Sequence, residues 1–337
     1  MGQIKEFGVS FQHLTARECM ATARQAEADG FGTYWVPEDY VHRGAFSLAS
    51  AIAACTTSLR IGIGVLNPYT RHPVLTAMEL GSLEEISDGR AVLGMGASVA
   101  PWIEGQLGIP YTKPATSMRE GVEIIRALFR GEAVTYTGQV FQTTSACFNF
   151  QPPRTDVPIH LGVMGPQNLT LAGQIADGAL LAVLLSPAYV RYAVECLRRG
   201  TDAAGKAWAD FEVGGLLTVA IAEDAAAARE AVKPFLATWI GLLSGQPEHP
   251  LFSCPGLAAR DVQRFGERFA AGDLAVDLVT DWMIDTFAIA GDPEHCRHRL
   301  AALVDAGLTS PVAFEVPGIR PAVTLDAVKT HLMPHFL

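Results

Sequence analysis

The sequence predicts an α/β protein, a (β/α)₈ TIM barrel with insertions. Three observations lead there. Apolar strand-like runs alternate with segments of helical period along almost the whole chain, and eight such units can be read. Composition does not shift along the 337 residues, 49% of which are hydrophobic and 18% charged, a balance that supports a large buried core. Alternation of this kind demands a parallel sheet covered by helices. Eight units favour closure into a barrel; an open doubly wound sheet is the alternative.

The elements follow in order. Phe7 to Phe11 is the first strand, and the helical pattern from Thr15 to Asp29 stops at Gly30. Thr33 to Pro37 is the second strand, with an Ala-rich helix from Ser47 to Thr57. Arg60 to Leu66 is the third, and Pro73 opens a helix where the fixed φ of proline is tolerated, ending near Asp88 and Gly89. Ala91 to Met95 is the fourth strand, followed by a helix from about Ser117 to Phe129. Residues 133–150 alternate in Thr and aromatic residues around Gly138, which predicts a β-hairpin insertion.

The barrel pattern resumes at Pro158 to Val163, with a helix from Pro166 to Ala176. Ala179 to Val183 and Glu212 to Ala222 are the next strands, separated by a helix from Pro187 to Ala204. Residues 224–285 read as a helical insertion near the active-site mouth, with Pro247, Pro250 and Pro255 marking loops. A short strand at Phe287 to Ala290 and a helix from Asp292 to Ala306 precede the eighth main strand, Val312 to Val316. A final helix runs from Leu325. Residues 1–337 are expected to form one domain, with its active site at the C-terminal ends of the strands.

Bulk properties narrow the function. A net charge of −10 lacks the basic face that nucleic acid requires. No run approaches the ~18 apolar residues of a membrane helix, and the N-terminus shows no secretory pattern. The 6 cysteines are scattered without paired spacing, as expected of a reduced, cytoplasmic protein. His295, Cys296 and His298 have no second pair to complete a metal site, so a helix turn is expected and no metal. Gly94-Met95-Gly96 lacks the third glycine of a dinucleotide fingerprint, and no Gly-x-Ser-x-Gly elbow is present. A small-molecule substrate remains.

Three strand ends carry candidate chemistry. Gly62 and Gly64 lie within the third strand, where glycine permits either close approach of a ligand or tight packing of the barrel wall. Gly162 to Asn168 is a glycine turn before Pro166 at a helix start, either an ordinary βα turn or an anion-binding helix N-terminus. Trp35-Val36-Pro37-Glu38-Asp39-Tyr40 puts two adjacent carboxylates at a strand end, either a solvated pair or proton-handling groups.

The run GVLNPYTRHP at 64–73 resembles the corresponding region of methylenetetrahydromethanopterin reductases, which are deazaflavin (coenzyme F420)-dependent members of the luciferase-like superfamily. The likeness continues through LEEISDGRAVLGMG at 83–96 and GPQNLTLAGQIADG at 165–178. It implies the bacterial-luciferase-like barrel and a cis peptide at Gly64-Val65, in a bulge pressed against the deazaflavin ring. It also implies cofactor contacts from Glu38, Asn67, Ala97, Ser98, Met164, Gly165, Pro166, Gln167 and Asn168. Asp39 stands where the reductases carry a histidine, and is the expected proton-transfer residue. Ser10 and Val99 stand where they carry a glutamate and an aspartate, which argues against a true methanopterin reductase. Ser10, Tyr40, His42 and Val99 are expected to shape the substrate pocket.

The implied function is hydride transfer between F420 and a small organic substrate, in a homodimer. An FMN-dependent monooxygenase on the same fold is the alternative reading, and a non-catalytic flavin-binding protein a third.

Overall fold

The computed structural model describes residues 4–39 and 42–337. Its strands are β1 (Gly8–Ser10), β2 (Thr33–Val36), β3 (Arg60–Leu66), β4 (Ala91–Gly96), β5 (Val134–Thr137), β6 (Gln142–Ala146), β7 (Ile159–Val163), β8 (Gly178–Leu181), β9 (Glu212–Ile221), β10 (Ala288–Gly291) and β11 (Ser310–Phe314). Among the described residues eight of them close a parallel ring in the order β1-β2-β3-β4-β7-β8-β9-β11, with β11 returning to β1. A TIM barrel results. The antiparallel β5–β6 hairpin stands outside it.

β10 is not a stave. It pairs with the far end of β9, at Thr218 to Ile221, beyond the stretch that β8 covers at Glu212 to Gly215. Thr218 pairs with Phe314 of β11 on its other side. The long β9 therefore pairs with β8 near its start and with β10 near its end, while β11 runs along its other edge.

The barrel interior is filled in layers. Trp35, Val92, Leu180 and Val312 come from alternate strands and form one buried cluster, with Val65 and Leu216 packed against it. Four side chains from alternate strands are what one layer of such a barrel holds. Fully burying a side chain of this kind contributes ~2–3 kcal/mol. At the opposite, N-terminal mouth Arg60 bridges Glu6 at 2.9 Å and Glu212 at 3.3 Å, which satisfies charges that strand ends bring together.

Several boundaries differ from the sequence reading, and proline explains most. The helix expected from Ser117 begins at Pro114, and the last one begins at Pro321 rather than Leu325. Proline fits the first helical position because its missing N–H would have no partner there. The helix expected over Ser47 to Thr57 runs from Ala45 to Ala54, after Gly44 in extended conformation. A π-helix over Pro101–Gln106 has no counterpart in the sequence reading.

Candidate active site

The C-terminal end of β3 is irregular. Pairing with β4 shifts between Ile63 and Leu66, and the Gly64-Val65 peptide is cis. Val65 turns into the barrel mouth. A Cβ on Gly96 would meet its Cγ2 at 2.5 Å, and one on Gly162 would meet its Cγ1 at 3.0 Å. Gly62 and Gly64 face the Trp35 indole, whose Cε3 would lie 2.5 Å and 2.9 Å from the added Cβ atoms. Packing thus accounts for the two β3 glycines. The bulged Val65, partly exposed, remains the surface that a ligand would meet.

Around it, partly exposed small residues end the neighbouring strands: Gly64, Ala97 and Ser98, with Met164 and Gly165 after β7. Ser98 has a φ of 60°, and its carbonyl accepts from the Tyr111 hydroxyl at 3.1 Å. Gly165 precedes the helix Pro166–Ile175 and supplies no side-chain cap. The first N–H groups there, from Gln167 and Asn168, are oriented to receive an anion. Asn67 is buried and braces the turn after β3: its Oδ1 accepts from the Tyr69 and Thr70 N–H groups, each at 2.9 Å.

Across the barrel mouth, above β1, β2 and β11, opens a cleft of about 440 Å³. Its polar floor is formed by Gln12, His13, Asp39, His42 and Glu315. Phe235, Trp239 and Leu242 of the helix Ala225–Leu242 make an apolar wall together with Leu274, and Trp102 of the π-helix adds to it. Glu315 follows β11 and its backbone N–H bonds the Ser10 carbonyl at 3.1 Å. This register brings its carboxylate onto the loop after β1. Oε2 accepts from the Gln12 N–H at 2.5 Å and the His13 N–H at 3.1 Å, while Oε1 lies 3.1 Å from His13 Nδ1.

Asp39 accepts from the side-chain amide of Gln12 at 2.8 Å. Burial pushes its carboxyl above the usual range, against the opposing pull of His42 and His13, and Glu38 adds to the rise. A carboxyl so placed can exchange a proton with a group in the cleft. Glu38 is committed to its loop: it pairs with Arg71 at 3.1 Å and accepts from the Ala45 N–H at 3.0 Å.

A barrel with a bulged third strand, a glycine turn after the fifth stave and a deep mouth has a match among known families. The sequence matches the luciferase-like monooxygenase family over residues 6–310. The chain belongs to that family. Among luciferase-like relatives, it is 33% identical over 337 residues to the 5,10-methylenetetrahydromethanopterin reductase of Archaeoglobus fulgidus, covering 98% of this chain and 99% of that one. The enzyme of the same name from Methanolobus tindarius is 34% identical over 294 residues, 86% of this chain and 88% of its own. The structure of the coenzyme F420-dependent tetrahydromethanopterin reductase of Methanopyrus kandleri superimposes with a TM-score of 0.91 at 27% identity, covering 99% of this chain and all of that chain.

The residues expected from this luciferase-like sequence fall into two groups. Gly64, Val65, Ala97, Ser98, Met164, Gly165, Pro166, Gln167 and Asn168 surround the β3 bulge and the turn after β7. Asp39 and His42 line the cleft. Ser10 does not line it: as the last residue of β1 it is 1% exposed, beneath the floor. Val99 lies at the π-helix start, where its carbonyl accepts from the Trp102 and Ile103 N–H groups. Tyr40 lies outside the described residues. Sequence reasoning missed His13, Glu315, Trp102 and Gln106. The available signal for Glu315 was a lone carboxylate near the end of an apolar strand run.

Proposed function

We propose that this chain is a coenzyme F420-dependent oxidoreductase that moves a hydride between the deazaflavin and a small organic substrate. One observation carries the reading: a partly exposed patch around the Val65 bulge and a cleft lined by a half-buried acid, Asp39, share the barrel mouth, within a family whose similar members include an F420-dependent reductase. The residues present fit the cofactor. Small side chains leave room for a ring over Gly64 and Val65, and the uncapped turn at Gly165 suits a phosphate. When bound, F420 supplies a two-electron hydride carrier, and the protein supplies orientation and proton control.

The chain's own residues would do the rest. Gly64, Val65, Ala97 and Ser98 support the ring, and Met164, Gly165, Gln167 and Asn168 hold the tail. Asp39 exchanges a proton with the substrate atom whose charge changes, while the wall from residues 224–285 excludes water. FMN with oxygen is the second reading, favoured by the monooxygenase name of the family. Titrating the purified protein with F420 and with FMN, followed by cofactor fluorescence, decides between them. Tight binding of F420 and turnover with it are expected; binding of FMN alone overturns the proposal.

We further propose that the protein acts in the cytoplasm, in keeping with the buried free thiols of Cys19, Cys196 and Cys296, and works as a homodimer. Leu75, Met78 and Ile86, exposed at 49%, 47% and 47%, form an apolar stripe along the helix Pro73–Ser87 that a second copy would cover.

A further inference from the structure

The charges around the cleft are one-sided. Glu315 reaches it from the end of β11 and Asp39 from the loop after β2. Among the described residues no lysine or arginine lines it. Arg43 lines the small void behind Asp39, not the cleft itself. His13 can become cationic, but its Nδ1 is already held by Glu315 at 3.1 Å, so its charge would be met within the protein. His42 packs edge-on against His13, with ring centroids 5.7 Å apart. The same cleft is lined by two indoles and a phenyl ring, Trp102, Trp239 and Phe235.

We propose that this cleft selects a substrate with a planar apolar body and an uncharged or cationic hydrogen-bonding head, and rejects phosphate and carboxylate groups. The inference deepens the reading of the cleft as the substrate side of the enzyme and rests on it. An anionic head would face two carboxylates with no guanidinium or ammonium, only the His13 and His42 imidazoles that already face those acids, to offset them, beside a wall that lowers the local dielectric. Burial already holds the Asp39 carboxyl above its usual range, and another negative charge beside it adds to that cost. A hydroxyl or ammonium head donates to Asp39 or Glu315, and the indole faces attract a cation and cover an aromatic body. Gln12 keeps both acceptors in register, donating its amide to Asp39 and its backbone N–H to Glu315.

The test uses the full chain and three probes that share a phenyl ring: benzyl alcohol, benzylamine and phenyl phosphate. Each is titrated while the fluorescence of Trp102 and Trp239 is followed, with Trp239→Phe assigning the signal. The alcohol and the amine are expected to bind at least tenfold more tightly than the phosphate. Glu315→Gln should cut the preference for the amine over the phosphate at least threefold. If that variant fails to fold, judged by circular dichroism, Asp39→Asn carries the same comparison. Phenyl phosphate binding as tightly as benzylamine, no binding of any probe, or a preference unmoved in the folded variant overturns the proposal. The probes need no cofactor, so a chain that selects them yet ignores F420 refutes the cofactor reading alone.

Discussion

Gln12 and Asp39 are joined by a 2.8 Å hydrogen bond from side-chain amide to carboxylate, while the backbone N–H of the same Gln12 is held by Glu315. One residue after β1 thereby fixes acids that arrive from β2 and from β11. Asp39→Ala is expected to leave F420 affinity within about twofold and to lower kcat by at least ~100-fold, the scale of a lost general acid or base. Fluorescence titration and steady-state rates separate the two effects. Unchanged turnover removes Asp39 from the chemistry.

The same carboxyl makes stability depend on pH. Its pKa is raised in the folded chain, so the folded state binds the proton more readily than the unfolded one. Its stabilising contribution is complete below the ordinary carboxylate pKa and is lost as pH rises through the raised value. Asp39→Asn should therefore have a higher Tm than the parent at neutral pH, with the gap closing in acid. Thermal melts at pH 4 to 8, the span on the order of which carboxyl groups titrate, check it; a lower Tm for the variant at neutral pH contradicts the sign.

Glu27 behaves in the opposite way. Burial works to raise its pKa, but N–H groups of Ser58, Thr57 and Leu59 and the Ser58 hydroxyl outweigh it and hold it at about 2. Its contribution is present above the unfolded carboxylate value and is lost as pH falls toward 2. Glu27→Gln should cost ~1–2 kcal/mol near neutrality, from weakened charge-assisted bonds to the loop that leads into β3. Urea melts at neutral pH and in acid would show the deficit shrinking in acid.

Gly173 lies where the helix Pro166–Ile175 crosses the helix Pro187–Ala203. A Cβ there would run into the Leu197 carbonyl oxygen, and one on Gly200 into that of Thr170. Backbone cannot yield as a side-chain tip does, so Gly173→Ala should cost at least ~2 kcal/mol. It should also weaken F420 binding several-fold by displacing the turn at Gly165. Gly245→Ala, with nothing within 4 Å of its new Cβ, is the neutral comparison. Equal stability and F420 affinity in the two variants would refute the crossing argument.

The exposed stripe of Leu75 and Met78 supplies the fifth expectation. Sedimentation velocity should give a dimer for the parent and a monomer for Leu75→Glu with Met78→Glu. A monomeric parent, or a double variant that keeps its mass, eliminates this interface.

The sequence by itself determined the order of strands and helices, because that feature is local, and the region around Val65 and Gly165 was legible through the family resemblance of residues 64–73 and 165–178. Strand-helix alternation, proline at helix starts and glycine before a helix each act over a few residues and leave readable periods. Tertiary structure alone decided what the glycines of β3 face, since Trp35 reaches Gly62 and Gly64 across the pairing of β2 with β3. It also decided the cleft. Glu315 meets His13 across 302 residues of chain, and only closure of β11 onto β1 brings them together. Ring closure is a long-range event with no signature in the spacing of neighbouring residues, which is why His13 and Glu315 were silent in the sequence.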